Sequence, residues 1–430
     1  MTTLYQDHLT VLQQRYEAAL THFQCDAVVL ASGHKQYYFQ DDHTAPFHSY
    51  SGAQQWLPFT LSAETYLIIE AGKKPRIVWP IRDDFWHAPN PVPAGEWQDN
   101  WDITPARRDD KWFQGLPEKC AWLGPEPQDF AHVTPGFNTY VDFAKAVKTP
   151  YEIAAIQRAS VRGAKGHLAA RDAFLNGLSE FEIHLAYLQA SQQTANQEPY
   201  PSIIGINEHA SVLHYEHKDF DRSANPLTLL IDAGATEHGY ASDITRTFTK
   251  QDDEFRALVK SLDSAEQEMA KKALSGTSYP ELHQGALRTI AGILQDHKIC
   301  SLSVDEQIAK GITQTFFPHG LGHLLGLQVH DVGGFHQDVL GTRREPDANA
   351  PFLRLTRTLE ENMVLTIEPG LYFIPMLLDK MQAEIPQHGC DMSLIKQFIP
   401  YGGIRIEDNI VVKDEVSINL TRQAFSEYEV

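Results

Sequence analysis

The run Leu229–Phe248, LLIDAGATEHGYASDITRTF, sets two strand-like stretches on either side of a polar turn. Its β-branched and apolar residues alternate with polar ones, the signature of a half-buried hairpin. With the turn centred on Glu237 and His238, Asp232 falls opposite Asp243. Directly opposed residues on antiparallel strands hold their Cβ atoms about 4.5–5.5 Å apart, a spacing at which like charges destabilise unless something compensates. A divalent cation is one compensation. A register one residue different, with both aspartates solvated, is the other reading of this segment taken alone.

Two further apolar runs carry the same anomaly. Glu368 lies inside VLTIEPGLYF and Glu407 inside GGIRIEDNIVV, and a buried carboxylate is costly unless it is paired or binds metal. Read as one strand, Gly403–Val412 puts Arg405 and Glu407 on one face and Ile404 and Ile406 on the other. Arg405 could then support an acidic cluster, although a strand Arg and Glu also suit a solvated face. A fourth segment, PHGLGHLLGLQVHD (Pro318–Asp331), contributes His319, His323 and His330 among glycines. His319 and His323 have the i, i+4 spacing of a zinc-peptidase helix, but Gly320 stands where that motif needs glutamate. Four carboxylates with one or more imidazoles make an oxygen-rich donor set, better suited to Mn²⁺ or a similar ion than to a thiolate zinc site. Two such ions about 3.5–4 Å apart would lower the pKa of a shared water and prepare it to attack an amide carbonyl or a phosphorus centre.

The 430 residues exceed the roughly 250–300 at which single cores stop growing, so two domains are expected. All seven tryptophans, Trp56 to Trp122, fall in the first third, whereas the Gly, His and acidic motifs fall in the last half. Strands are expected over Asp26–Ala31, Thr65–Glu70 and Arg76–Trp79, with a helix over Leu9–Phe23. A long helix follows from Tyr151 to about Leu175, with Pro150 in its first turn. The pattern changes near Lys148–Pro150, giving domains over 1–147 and 148–430. Further helices are expected over Phe181–Gln192, Phe255–Ala273 and Tyr279–His297. Two strands within Leu227–Thr249 and single ones over Val364–Phe373 and Gly403–Val412 complete the reading, with Pro375–Pro400 as a surface loop that could include a short helix.

A formal charge of −20 opposes phosphate backbones and anionic lipid, which argues against nucleic acid or a membrane surface as a partner. No export signal is visible at the start, and no apolar stretch reaches the roughly 20 residues of a membrane helix. Cys25, Cys120, Cys300 and Cys390 lie far apart without a CxxC pair. They read as reduced thiols in a cytoplasmic protein, not as ligands or nucleophiles.

Together these segments resemble the pita-bread metallopeptidases, the group that includes methionine aminopeptidase, aminopeptidase P and prolidase. Five ligand-bearing positions occur in that family's order: Asp232, Asp243, His323, Glu368 and Glu407. QQWLPF from Gln54, DDFWH from Asp83 and PYPSIIGINEHASVLHY from Pro199 look like bacterial Xaa-Pro dipeptidases, a group that includes the organophosphorus acid anhydrolases, so the likeness covers nearly the whole chain. It implies an α+β protein with a creatinase-like N-terminal α/β domain and a pita-bread catalytic domain, usually a homodimer. It implies hydrolysis of dipeptides ending in proline, with organophosphorus triesters and fluorophosphonates as adventitious substrates. By the same likeness Asp243 and Glu407 would bridge the two metal ions, Asp232 would complete one site, and His323 and Glu368 the other. Glu368 would also be the general base. His214 and His330 would contact substrate and the oxyanion, Arg354 would grip the substrate carboxylate, and Arg405 would support the ligands. His319 and Tyr200 would line the pocket, and Asp42 would approach the substrate amine. Aminopeptidase P activity on longer peptides and a non-catalytic scaffold on the same fold are the alternatives.

Overall fold

The computed structural model describes residues 2–107, 109–125 and 134–428. The chain divides into two units: Met1–Lys145 with Thr149–Glu152 and Asp338–Thr342, and Ala146–Lys148, Ile153–Gln337 and Arg343–Val430.

The first unit contains α1 (Thr2–Phe23), β1 (Ala27–Ala31), α2 (Ser51–Gln54), β2 (Tyr66–Glu70), β3 (Arg76–Pro80), β4 (Asp102–Ala106), β5 (Cys120–Leu123) and α3 (Phe137–Lys145). The strands form one mixed sheet in the order β4-β3-β2-β1-β5. β1 runs antiparallel to β2 and parallel to β5. Its sequence AVVLA is apolar on both faces, as a central strand requires, and all five residues are buried. Tyr16 of α1 meets the buried Trp56 edge-on, with centroids 5.1 Å apart; such a pair adds about 0.5–1.5 kcal/mol beyond the area it buries. Sequence patterning anticipated β1 to β3. It missed β5, whose four residues are too few to show a period, and β4, whose DITPA contains a proline that sits at the sheet edge.

The second unit opens with α4 (Pro150–Leu175) and α5 (Glu180–Ser191). Proline stands at the first residue of α4, where its missing N–H costs nothing, and a Ser179–Glu182 capping box starts α5. There follow β6 (Ile203–Ile206), β7 (Thr228–Asp232), the short strands β8 (Thr236–Glu237) and β9 (Tyr240–Ala241), and β10 (Thr245–Thr249). Next come α6 (Glu254–Ala270), α7 (Tyr279–Asp296), α8 (Val304–Ala309) and α9 (Ile312–Phe316). The remaining elements are β11 (Val364–Ile367), β12 (Gly370–Tyr372), α10 (Pro375–Glu384), α11 (Met392–Phe398), β13 (Gly403–Arg405), β14 (Asp408–Val411), β15 (Ile418–Asn419) and α12 (Leu420–Ser426). Strands pair in the orders β10-β7-β6, β11-β14-β15, β12-β13 and β8-β9. Helices α6 and α7 pack on the largest apolar core, which includes Phe255, Leu258, Leu287, Ile290, Leu365 and Ile410. Among the described residues no helix is long and apolar enough to cross a membrane.

Three sequence expectations are corrected. The hairpin turns on His238 and Gly239, both at positive φ (53° and 87°), because a two-residue turn needs φ > 0 at both centres and Gly239 supplies the easier one. Asp232 therefore pairs with Thr245, not with Asp243. The shift is two residues, so both aspartates keep the same face, as diagonal neighbours roughly 7–8 Å apart at Cα. Second, Val364–Phe373 and Gly403–Val412 are not continuous strands. The first breaks at Glu368–Pro369, the second at Ile406–Glu407, and the halves join different sheets. Arg405 and Glu407 nevertheless keep one side, since both reach Thr245 Oγ1, at 3.3 and 2.7 Å, while Ile404 and Ile406 enter the apolar core. Third, Pro375–Pro400 is mostly helical, since Pro375 starts α10 and the Asp391 side chain caps α11 through Ser393 and Leu394.

Candidate metal centre

The second unit gathers the acidic residues at the points where its strands end or break. Asp232 closes β7, Asp243 precedes β10, Glu368 follows β11, and Glu407 precedes β14. Residues 321–325 lie along β11 as an irregular edge: Leu325 N–H donates to Val364 O, Thr366 N–H to His323 O, and Glu368 N–H to Leu321 O. This ladder sets His323 beside Glu368. A Cβ on Gly322 would lie 2.2 Å from Thr366 O, and its φ is +154°, so the close approach depends on glycine. Glu407 reaches the cluster through β10, with its N–H donating to Thr245 O at 3.1 Å and its Oε2 accepting from Thr245 Oγ1 at 2.7 Å.

Donor atoms of Asp243, His323 and Glu407 lie within 4.8 Å of one another, and all three residues are buried. His323 Nδ1 is 2.9 Å from Leu324 O. A carbonyl only accepts, so Nδ1 holds the proton and Nε2 faces Asp243 Oδ2 at 3.3 Å and Glu368 Oε1 at 3.7 Å. The Tyr200 hydroxyl lies 2.8 Å from Asp232 Oδ1 and 2.5 Å from Asp243 Oδ1, so one proton serves two carboxylates. Arg405 Nη2 donates to Asp232 Oδ2 at 2.7 Å.

One guanidinium and one imidazole thus face four carboxylates. Burial pushes Glu368 up to about 7 against the opposing charge of His323. Burial, then Asp243 and Glu368, holds Glu407 well above the carboxylate range. Burial also raises Asp232, opposed by Arg405. Asp243 goes the other way: burial would raise it, but hydrogen bonding and charge from His323, with Tyr200, bring it below its ordinary value. Burial would lower His323, and Asp243 and Glu368 overcome that to raise it. A surplus of buried negative charge, an imidazole lone pair aimed at carboxylates and ligands steadied by Thr245 and Arg405 fit a pair of divalent cations.

Tyr372 belongs to this arrangement and was not anticipated. Arg405 Nη1 donates to its oxygen at 2.7 Å, leaving the hydroxyl to donate to His319 Nε2 at 2.9 Å. His319 Nδ1 donates to Gly320 O at 2.8 Å, and burial, then the Arg405 charge, holds the ring neutral with its pKa near 3. The available signal was a tyrosine inside an apolar run, whose polar tip needs a partner when buried. Thr245 was likewise passed over.

The other anticipated residues lie around the cluster. His330 is exposed, with its ring 4.4 Å from that of His323, and loss of water, then the charges of His323 and Arg354, lowers its pKa. Arg354 is exposed, and Thr356 N–H donates to Gly334 O, tying its segment to the turn after His330. A Cβ on Gly334 would lie 2.6 Å from Arg354 O. His214 is exposed between Leu213 and Tyr215, which pack on the small core containing Leu230 and Tyr372. Asp42 belongs to the first unit, where its side chain is 96% exposed and contacts His43 at 3.1 Å.

The fold and cluster together describe a hydrolase of the metallopeptidase class, and the profile of metallopeptidase family M24 matches residues 154–414. The chain belongs to this family. Residues 3–140 match the Xaa-Pro dipeptidase N-terminal domain, giving an N-terminal domain followed by a pita-bread catalytic domain in an α+β chain. It is 42% identical to an Xaa-Pro dipeptidase of Stenotrophomonas maltophilia (strain K279a), over 98% of this chain and 97% of the relative. It is equally identical to one of Xanthomonas campestris pv. campestris (strain B100), over 99% and 98%. Among solved structures it is similar to aminopeptidase P from E. coli with the inhibitor Pro-Leu, with TM-score 0.72 and 23% identity over 96% of this chain and 95% of the other.

Proposed function

We propose that the chain is an Xaa-Pro dipeptidase that hydrolyses dipeptides ending in proline at the Asp232–Asp243–His323–Glu368–Glu407 centre. The observation that carries the reading is the buried surplus of carboxylates around the His323 lone pair, joined to relatives of that name along the full chain. Asp243 and Glu407 would hold both ions, Asp232 would complete one site, and His323 and Glu368 the other. Two bound divalent ions would polarise the scissile carbonyl and acidify a shared water; the carboxylate-rich donors favour Mn²⁺. Glu368 takes the proton of the attacking water and returns it to the leaving imino nitrogen. His330, whose pKa burial lowers, and His214 donate hydrogen bonds to the developing oxyanion. Arg405 and Tyr372 keep Asp232 and His319 in place, and Tyr200 lines the pocket beside the two aspartates.

Arg354 grips the carboxylate of the terminal proline, a bidentate task suited to a planar guanidinium. This favours dipeptides over the longer substrates of aminopeptidase P. Asp42 is assigned to the substrate amine. A phosphorus centre presents a similar electrophile, so organophosphorus triesters and fluorophosphonates are included as side substrates. A homodimeric, cytoplasmic enzyme completes the reading; four free thiols support the compartment.

Chelation should abolish hydrolysis of Ala-Pro, and Mn²⁺ or Co²⁺ should restore it better than Zn²⁺. Activity in protein shown by mass spectrometry to be metal-free would end the proposal. Arg354→Ala should raise KM for Ala-Pro and narrow the gap between the dipeptide and its amide, while sparing an uncharged phosphotriester. Equal loss on all three would make Arg354 structural.

A further inference from the structure

Cys300 and Cys390 are ninety residues apart in sequence, yet they face each other as an antiparallel pair across the link between the end of α7 and the turn before α11. Ser301 N–H donates to Gly389 O and Asp391 N–H to Ile299 O, both at 2.9 Å. These bonds flank the cysteines, which makes them a non-hydrogen-bonded pair, the arrangement that brings opposed side chains closest, with Cα atoms about 4.5 Å apart. That separation lies within the range of about 4.4–6.8 Å spanned by disulfides. The side chains point the same way, since Cys300 Sγ and Cys390 Sγ each lie 3.5 Å from His388 O. Both thiols are free.

We infer that Cys300 and Cys390 form a reversible disulfide when the protein meets a hydroperoxide. The chemistry needs one thiolate and one neighbouring thiol. Hydrogen bonding from the neighbouring Cys390 thiol favours the thiolate of Cys300, which then serves as the attacking sulfur. Its thiolate attacks one peroxide oxygen, the O–O bond breaks, and the other oxygen leaves as water after taking a proton. The Cys300 sulfenic acid so formed is attacked by Cys390, the S–O bond breaks, and a second water departs. Two thiols and one hydrogen peroxide yield one disulfide and two waters. Cys390 is 9% exposed and Cys300 is buried. The pair is covered by the turn 386–389, whose residues are exposed or half-buried, so a small peroxide needs only a local opening.

The cross-link would tie the excursion carrying α10 and α11, which separates β12 from β13, to the end of α7. A loop of this length, once closed, removes much freedom from the unfolded chain. Neither cysteine belongs to the metal centre, so turnover should persist.

The test treats the metal-loaded full-length protein with hydrogen peroxide, then alkylates it under denaturing conditions. The expected result is two alkylatable thiols in place of four, a non-reduced peptide map joining the Cys300 and Cys390 peptides, and a thermal midpoint raised by about 5 °C and reversed by dithiothreitol. Cys25→Ser should keep all of these, and Cys300→Ser should lose the cross-link and the shift. Four thiols remaining, oxidation to sulfinic acid without a cross-link, or pairing of Cys25 with Cys120 instead would overturn the inference.

Discussion

Glu407 and Asp408 are consecutive and both buried, yet they look into opposite electrostatic surroundings. Asp408 Oδ1 accepts from Arg246 Nη2 at 2.7 Å, and Oδ2 accepts from Asn419 Nδ2 at 2.7 Å and Arg422 Nε at 2.5 Å. Although burial opposes it, the two arginines hold this carboxyl well below its ordinary value. Arg422 also reaches Glu266 at 2.9 Å. Two guanidiniums there face three carboxylates, the third being the partly exposed Asp263 at 2.8 Å from Arg422, whereas Glu407 shares its side with three other carboxylates and a single guanidinium. The Asp408 cluster comes close to balance within the protein, because burial and then Asp408 hold the Glu266 carboxyl well above its ordinary value. The unbalanced one leaves a demand for positive charge, which makes it the candidate site for metal ions.

The contrast breaks if the two clusters respond alike to neutralisation. Glu368→Gln should lower kcat by about 10²–10⁴, with the thermal midpoint near wild type and much of the metal retained. Asp408→Asn should leave two arginines short of a partner and cost about 3–5 kcal/mol, read as a lower urea midpoint, while the folded fraction retains its turnover. A stable Asp408→Asn protein, or a Glu368→Gln protein that loses its metal with its activity, would remove the distinction. Tyr372→Phe tests the supports of the unbalanced cluster. Losing the hydroxyl between Arg405 and His319 should reduce activity or metal affinity about 10- to 100-fold, measured by metal titration and kinetics, with little change in stability.

The sequence made the acidic cluster of the candidate metal centre legible because charged residues in β-branched runs are anomalous wherever the run is buried, and each anomaly survived errors in the surrounding secondary structure. Misplacing the hairpin turn by one position moved the register by two, which preserves the face on which Asp232 and Asp243 lie. The breaks at Glu368 and Glu407 were harder to see. Pro369 cannot donate to a ladder and was a sign that the strand ends there, but nothing local marks Ile406–Glu407. That break depends on β13 pairing with β12 and β14 with β11. Tyr372 escaped because its role lies in a chain from Asp232 through Arg405 to His319, and such contacts have no sequence period. Cys300 and Cys390 escaped for the same reason.

A smaller effect sharpens the comparison by showing what burial does to a base with no charged partner. His283 in α7 is 3% exposed, packs near the Phe317 ring, and its Nδ1 has no hydrogen-bond partner. Burial alone lowers its pKa to about 4, compared with roughly 6.5 in an unfolded chain. Above pH 6.5 both states are neutral and His283 contributes no pH dependence. Below it the unfolded chain takes up a proton that the folded protein refuses, so stability falls as pH drops toward 4. The loss should be about 2 kcal/mol between pH 7.5 and 5. His283→Leu removes this site from both states. Urea unfolding at the two pH values should therefore show the variant losing about 2 kcal/mol less than wild type, whatever the carboxylates contribute to each. Parallel losses would mean that His283 already carries its proton when folded, and that its burial leaves more room for water than the packing around Phe317 indicates.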